Sequence, residues 1–258
     1  MEKYSFLTSI YKNTKVDEME ECVNSMVNQT VPPEQIVVVI DGEIPQELKD
    51  YVSSLAEKTP SLYTIVPLEK NMGLGLALRE GMEYCRNEIV ARMDTDDICE
   101  LDRCEKQLKI FEEDKSVSVV GSNIEEFIGT VDNAVGQRIV PERHEDICEY
   151  LKKRCPFNHM TVMFKKSEIE KAGGYMDWHY NEDSYLWVRT YLAGCRFYNI
   201  QENLVHARVG EEMYARRGGY TYFKSEKKLF KFMKDNGVIG FFGYAEAVII
   251  RFVVQVLM

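Results

Sequence analysis

Five consecutive β-branched residues, Ile36-Val37-Val38-Val39-Ile40, end abruptly at Asp41-Gly42. A strand with one wet face alternates apolar and polar residues. An unbroken run therefore reads as a strand buried on both faces, as in parallel sheets covered by helices. The flanking pattern agrees. Phe6 opens the expected first strand, at 6–10, and Met19, Cys22, Val23, Met26 and Val27 then recur at the spacing of one helical face between Asp17 and Asn28. A helix from Pro45, a strand at 62–66, a helix opened by Gly73 and running to Tyr84, and a strand at 88–93 continue the alternation. Leu101, Cys104, Leu108 and Phe111 mark another amphipathic helix before a strand at 117–120. The expected class is α/β, a mostly parallel sheet flanked by helices. Ligands of such sheets gather at the carboxyl ends of the strands, which places Asp41 on the ligand edge.

From about Ala134 the rhythm loosens into loops around Pro141 and Pro156, with no linker, internal repeat or low-complexity tract. The 258 residues are thus read as one catalytic-sized domain, 1–217, followed by a helical appendage, 218–258. Acidic residues number 42 against 32 for Lys plus Arg, and a formal net charge of -10 argues against a general nucleic-acid binder. Seven cysteines at irregular spacings, with no C-x-x-C pair, exclude a zinc site or redox pair of that type and suggest a reduced, cytoplasmic protein. Glu2, Lys3 and the Ser and Thr that follow interrupt any signal-peptide core, so export is not expected. The apolar stretch 238–258 contains Glu246, Arg251 and Gln255 and falls short of the roughly 18 charge-free residues of a spanning helix.

Certain acids follow strands or open helices instead of decorating a helix face: Asp41, the Asp94/Asp96/Asp97 cluster and the Glu182-Asp183 pair. In an extended segment Asp94 and Asp96 point the same way, and two such carboxylates suit a hard divalent cation, Mg2+ or Mn2+, shared with phosphate oxygens. Aspartates in series also serve as turn and capping residues. Asn71-Met72-Gly73-Leu74-Gly75 resembles part of a dinucleotide fingerprint, but Leu78 takes the third glycine position. Its glycines permit either close approach of a phosphate to a helix N-terminus or a simple turn before a core helix. Among the histidines, His159 reads as a satisfied structural residue and His144 as solvated, while His179 and His206 carry little weight alone.

Taken together these residues resemble the family 2 inverting glycosyltransferases of the GT-A fold, and within them the exopolysaccharide and capsule enzymes of the amylovoran type. The matching pieces are Gln29-Thr30, 37–42, Asn71-Met72-Gly73-Leu74 with Gly81, 91–98, 156–164, Gly173-Gly174-Tyr175, and Glu182-Asp183 through Leu186-Trp187-Val188-Arg189. They cover most of the chain to about Arg217. The resemblance implies a Rossmann-like GT-A domain with a helical C-terminal appendage, and transfer from a nucleotide sugar, a UDP-sugar above all. The acceptor implied is a saccharide or a polyprenyl-diphosphate-linked saccharide. It further implies that Asp41, Asn71, Gly73, Arg79, Asp94, Thr95 and Asp96 bind the nucleotide sugar, with Asp94-Thr95-Asp96 as the DXD motif holding Mn2+ or Mg2+. Asp183 would be the general base, with Glu182 beside it, and His159, Arg216 and Arg217 would face the acceptor or a phosphate. Where the family usually has Asp-Asp-Gly-Ser, this chain has Ile40-Asp41-Gly42-Glu43, so one acidic nucleotide contact is missing or supplied from elsewhere.

Two other functions fit parts of the pattern. Asp94-Thr95-Asp96 also resembles the Asp-x-Asp loop of aspartate-nucleophile phosphatases, although Ile98 occupies that loop's final position and Asp41 and Glu182-Asp183 are left unemployed. A non-catalytic member binding a nucleotide or saccharide would need no base. In the tail, Arg216, Arg217, Lys224, Lys227, Lys228, Lys231 and Lys234 face a single acid, Glu226, between Met213 and Lys234. This run is either a solvated helix face or, with the apolar stretch after it, a basic element for an anionic membrane surface. The expected location is the cytoplasm, with peripheral attachment to the inner face of the cell membrane left open.

Overall fold

The computed structural model describes residues 2–210 and 218–257. Its first half is the expected alternation: β1 (Tyr4–Ile10), α1 (Val16–Val27), β2 (Gln35–Ile40), α2 (Gln46–Lys58), β3 (Tyr63–Pro67), α3 (Leu74–Tyr84) and β4 (Ile89–Arg92). These four strands are parallel and lie in the order β3-β2-β1-β4. The chain thus reverses its direction of travel across the sheet between β1 and β4, which opens a crevice at their carboxyl ends.

The β-branched run serves two cores. Ile36 and Val38 join Phe6, Ile89 and Ala91 under α1 and α2, while Val37 and Val39 join Leu7 and Val90 on the opposite face under α3. All nine are inaccessible to solvent, so each contributes roughly 1.5–3 kcal/mol of burial, less for the alanine.

The second half is more regular than its sequence suggests. β5 (Ile98–Cys99), α4 (Arg103–Glu113), β6 (Val117–Phe127), β7 (Ala134–Arg138), α5 (His144–Leu151), β8 (Met163–Lys165), α6 (Lys166–Lys171), α7 (Glu182–Leu192) and β9 (Arg196–Arg208) follow. The sheet continues from β4 through β8, β6 and β9 to β5, with β7 on β6. Antiparallel pairs flank β8, whereas β6 and β9 run parallel. β6 extends seven residues beyond the expected end at Val120 because its polar residues are satisfied inside the fold. Ser122 N–H donates to Thr161 Oγ1 at 3.0 Å, and Asn123 Oδ1 accepts from Val140 N–H at 2.9 Å. Two local expectations fail. Leu101 lies outside α4 and is 53% exposed, and His144 is not merely solvated, since its Nδ1 accepts from Phe197 N–H at 3.2 Å.

Two helices close the chain, α8 (Gly219–Asp235) and α9 (Phe241–Phe252). Leu229, Phe230 and Met233 of α8 join the core that contains Leu186 and Trp187 of α7. α9 buries no residue and rests on α8. No helix among the described residues is long and apolar enough to cross a membrane.

Candidate active site

The crevice is lined by three short segments. After β2, Asp41 is 4% exposed and spends its carboxylate on the loop before α3. Oδ1 accepts from Met72 N–H at 2.6 Å, and Oδ2 accepts from Gly73 N–H and from Asn71 Nδ2, both at 3.0 Å. Gly73 stands at the N-cap of α3 with φ +85°, a conformation that L side chains resist. Asp41, Asn71 and Gly73 are therefore one unit that fixes the opening of α3. Arg79 sits two turns along the helix, exposed.

The second segment follows β4. Residues 94–97 form a turn, closed by Asp97 N–H to Asp94 O at 3.4 Å, and not the extended stretch expected from the sequence. The turn gathers three acids: one oxygen from each of Asp94, Asp96 and Asp97 lies within 4.8 Å of the others. Thr95 is buried between them in sequence. Asp97 Oδ1 accepts from Arg208 N–H at 2.9 Å, and Oδ2 is buried with no partner among the described residues. Burial and the charges of Asp96 and Asp94 push Asp97 well above the usual carboxylate range. Asp96 is lifted to about 6 by desolvation of its carboxylate and then by Asp94, although the residue as a whole reaches solvent. An orphaned buried oxygen within an all-oxygen acidic set fits a hard divalent cation.

The third segment is the start of α7. Gly75 of α3 approaches it closely; a Cβ there would lie 2.8 Å from Met176 O and 3.1 Å from Glu182 Cβ. Desolvation and the neighbouring charge of Asp183 push Glu182 up to about 7, and the charges of Arg92 and Asp94 also reach it. Asp183 Oδ1 accepts from Ser184 N–H at 2.6 Å, and Oδ2 accepts from the Cys155 thiol at 3.4 Å. His159 Nε2 and Tyr175 OH are 2.9 Å apart, and desolvation together with Arg92 holds the imidazole neutral. Unlike these, His206 is held on β9 between Glu100, at 2.7 Å, and Glu125, at 3.2 Å. Arg216 and Arg217 lie outside the described residues.

Sequence reasoning passed over two guanidinium groups. Arg92, the last residue of β4, ion-pairs with Asp94 from a fully buried position. Arg208, the last residue of β9, donates from Nε to Asp96 O at 3.1 Å and stacks over Phe127. The signal for Arg92 was present: a charged residue closing an otherwise apolar strand.

A doubly wound sheet whose switch point carries an acidic cluster, with a helix-borne acid pair beside it, defines a GT-A-like transferase architecture. The glycosyl transferase family 2 model matches residues 5–170. An uncharacterized glycosyltransferase of Haemophilus influenzae is 40% identical over 92% of this chain and 88% of its own length. The amylovoran biosynthesis glycosyltransferase AmsE of Erwinia amylovora is 38% identical over 92% and 88%. The Escherichia coli UDP-Gal:alpha-D-GlcNAc-diphosphoundecaprenol beta-1,3-galactosyltransferase is 36% identical over 88% and 81%. The chain belongs to glycosyltransferase family 2. Solved structures share the fold: S. aureus TarS 1-349 in complex with UDP-GlcNAc superposes with a TM-score of 0.70 at 17% identity, covering 98% of this chain and 73% of that one. The mannosyltransferase PcManGT of Pyrobaculum calidifontis, in complex with GDP-Man and Mn2+, gives 0.65 at 17% identity over 96% and 68%. Family membership replaces the phosphatase reading of Asp94-Thr95-Asp96.

Proposed function

We propose that this protein transfers a sugar, with inversion, from a UDP-sugar to a polyprenyl-diphosphate-linked saccharide during bacterial surface polysaccharide synthesis. The observation that carries the reading is the meeting, at one switch point, of the Asp94/Asp96/Asp97 cluster with the Glu182-Asp183 pair. Relatives support the substrate class: AmsE is an amylovoran biosynthesis enzyme, and the E. coli relative is described as using UDP-Gal and a diphosphoundecaprenol-linked acceptor.

The residues divide the work. Asp41, with Asn71 and Gly73, holds the loop that faces the nucleotide; Arg79 and Thr95 complete that side. Asp94 and Asp96, with Asp97 beneath them, would hold Mn2+ or Mg2+. Such a cation supplies charge neutralisation for a departing nucleoside diphosphate. Asp183 takes the proton of the acceptor hydroxyl as it attacks, which is worth roughly 10²–10⁴ in rate. His159, Arg216 and Arg217 belong to the acceptor and phosphate side. A second assignment gives the base role to Glu182, because a carboxyl near 7 is well matched to proton abstraction at neutral pH.

The C-terminal element we assign to the surface of an anionic membrane, where a polyprenyl-linked acceptor resides, and we propose the cytoplasmic face as the working location. Incubation with a panel of UDP-sugars, Mn2+ or Mg2+ and a polyprenyl-diphosphate-linked GlcNAc tests the activity. Transfer that needs the divalent ion supports it. Binding of nucleotide sugars without transfer or hydrolysis across the panel would leave the non-catalytic member as the better account.

A further inference from the structure

Arg92 is 1% exposed, in a strand whose other residues, Ile89, Val90 and Ala91, are wholly buried. A guanidinium in such surroundings is costly unless its charge and its N–H groups are all answered. Its side chain makes one hydrogen bond, from Nη2 to Asp94 Oδ1, while Nε and Nη1 have no partner among the described residues. An apolar residue of similar volume would serve packing better. The charge of Arg92 instead reaches groups on three other segments: Asp94 and Asp97 of the turn, Tyr175 before α7, and Glu182 on α7. Asp94, Asp96 and Asp97 form one acidic cluster, and Glu182, beside Asp183, lies close enough for the charges of Asp94 and Arg92 to reach it; under the transferase reading this acidic edge must receive an anionic diphosphate. Arg208, the other guanidinium at this edge, is already tied to Glu18 at 3.6 Å and to Glu21.

We propose that Arg92 is a positioning residue for the donor: its guanidinium fixes Asp94 from below and offsets the carboxylate charge that would otherwise repel a nucleoside diphosphate. The proposal rests on the transferase reading, but its test needs no turnover. Titration calorimetry of the full chain with UDP at saturating Mn2+ compares wild type with Arg92→Met, which keeps volume without charge, and Arg92→Lys, which keeps charge without the planar fork. The Met variant is expected to bind UDP about tenfold more weakly or worse, while Lys restores most of the affinity. In the Asp94→Asn background the same Met substitution should have much less effect, because the group it answers is gone.

UDP binding by Arg92→Met within twofold of wild type would overturn the proposal. So would equal losses for Met and Lys accompanied by lower melting temperatures for both, which is the signature of simple packing. Arg92→Gln, neutral and polar, carries the comparison if the Met variant does not fold. Wild-type protein that bound neither Mn2+ nor UDP would defeat the transferase reading itself, and this proposal with it.

Discussion

At neutral pH Glu182 is poised between its two protonation states, because burial and the adjacent Asp183 raise its pKa to about 7. If it is the base, it must be deprotonated to act, so kcat/KM should fall with one proton as pH drops below about 7, and Glu182→Gln should abolish that limb. If Asp183 is the base, Asp183→Asn should cut kcat by at least ~10² while UDP affinity stays within a few-fold. Comparing the two pH–rate profiles separates the assignments. Stability gives an independent check. A carboxyl raised on folding favours the native state below its unfolded pKa, and that contribution is lost as pH rises through about 7, so Glu182→Gln should gain melting temperature over wild type at pH 8 and not at pH 4. The acid pairs were legible in the sequence because each follows an apolar run or opens a helix. Their geometry was not: alternation along a strand predicted Asp94 and Asp96 side by side, whereas a turn collects Asp97 as well. Arg92 carried a signal that could be read two ways, a charge closing an apolar strand, because such an arginine looks solvated until the sheet continues past it through β8.

Two glycines of α3 show how one element separates stability from function. A Cβ on Gly81 would lie 2.5 Å from both Leu7 Cδ1 and Val39 Cγ2, inside the core between helix and sheet. Gly81→Ala should therefore cost about 1–3 kcal/mol by overpacking, seen as a lower melting temperature with catalytic constants little changed in the folded fraction. Gly75→Ala instead presses on Met176 O and Glu182 Cβ, where α3 meets the start of α7. It should lower kcat more than it lowers the melting temperature, because it displaces one of the acid pair. Equal effects of both substitutions on kcat would contradict this division. The same contrast explains which elements could be read beforehand. β1, β2 and β4 and the helices around them announce themselves through apolar runs and periodicity, since these strands are buried on both faces, while β3 lies half-buried at the sheet edge. Beyond the apolar opening of β6 at 117–120, β6 and β9 carry Ser122, Asn123 and Asn199 in buried positions, where hydrogen bonds to Thr161, Val140 and Pro141 replace apolar contact and blur the periodic signal.

Across the whole molecule, charge is divided. Six basic residues from Gly218 onward, Lys224, Lys227, Lys228, Lys231, Lys234 and Arg251, face three acids, Glu226, Asp235 and Glu246, in a chain whose net charge is -10. Two of those acids are already engaged: Glu226 holds Arg251 at 3.3 Å and accepts from Gln255, and Asp235 pairs with Lys231 and with Lys234. The Glu226 contacts seat α9 and the residues after it on α8 and leave the outer side of α9 apolar, with Phe242 86%, Ile249 63% and Ile250 50% exposed. Such a face beside exposed lysines suits the interfacial layer of an anionic bilayer, to which each lysine adds roughly 1 kcal/mol of attraction. Replacing Lys224, Lys227 and Lys228 together by Gln should then weaken sedimentation with phosphatidylglycerol vesicles by on the order of a hundredfold. Ile249→Ser with Ile250→Ser should weaken binding to the same vesicles without removing its dependence on salt. Ile249→Ser with Ile250→Ser should melt as the wild type does, the lysine variant should lose only the contacts of Lys224 with Tyr220 and of Lys228 with Trp178, about 0.5–1 kcal/mol each, and both should retain activity on a water-soluble acceptor. Vesicle binding unchanged in both would remove the membrane assignment. Loss of a dimer in sedimentation velocity, in place of lost vesicle binding, would give the face to a second copy of the chain.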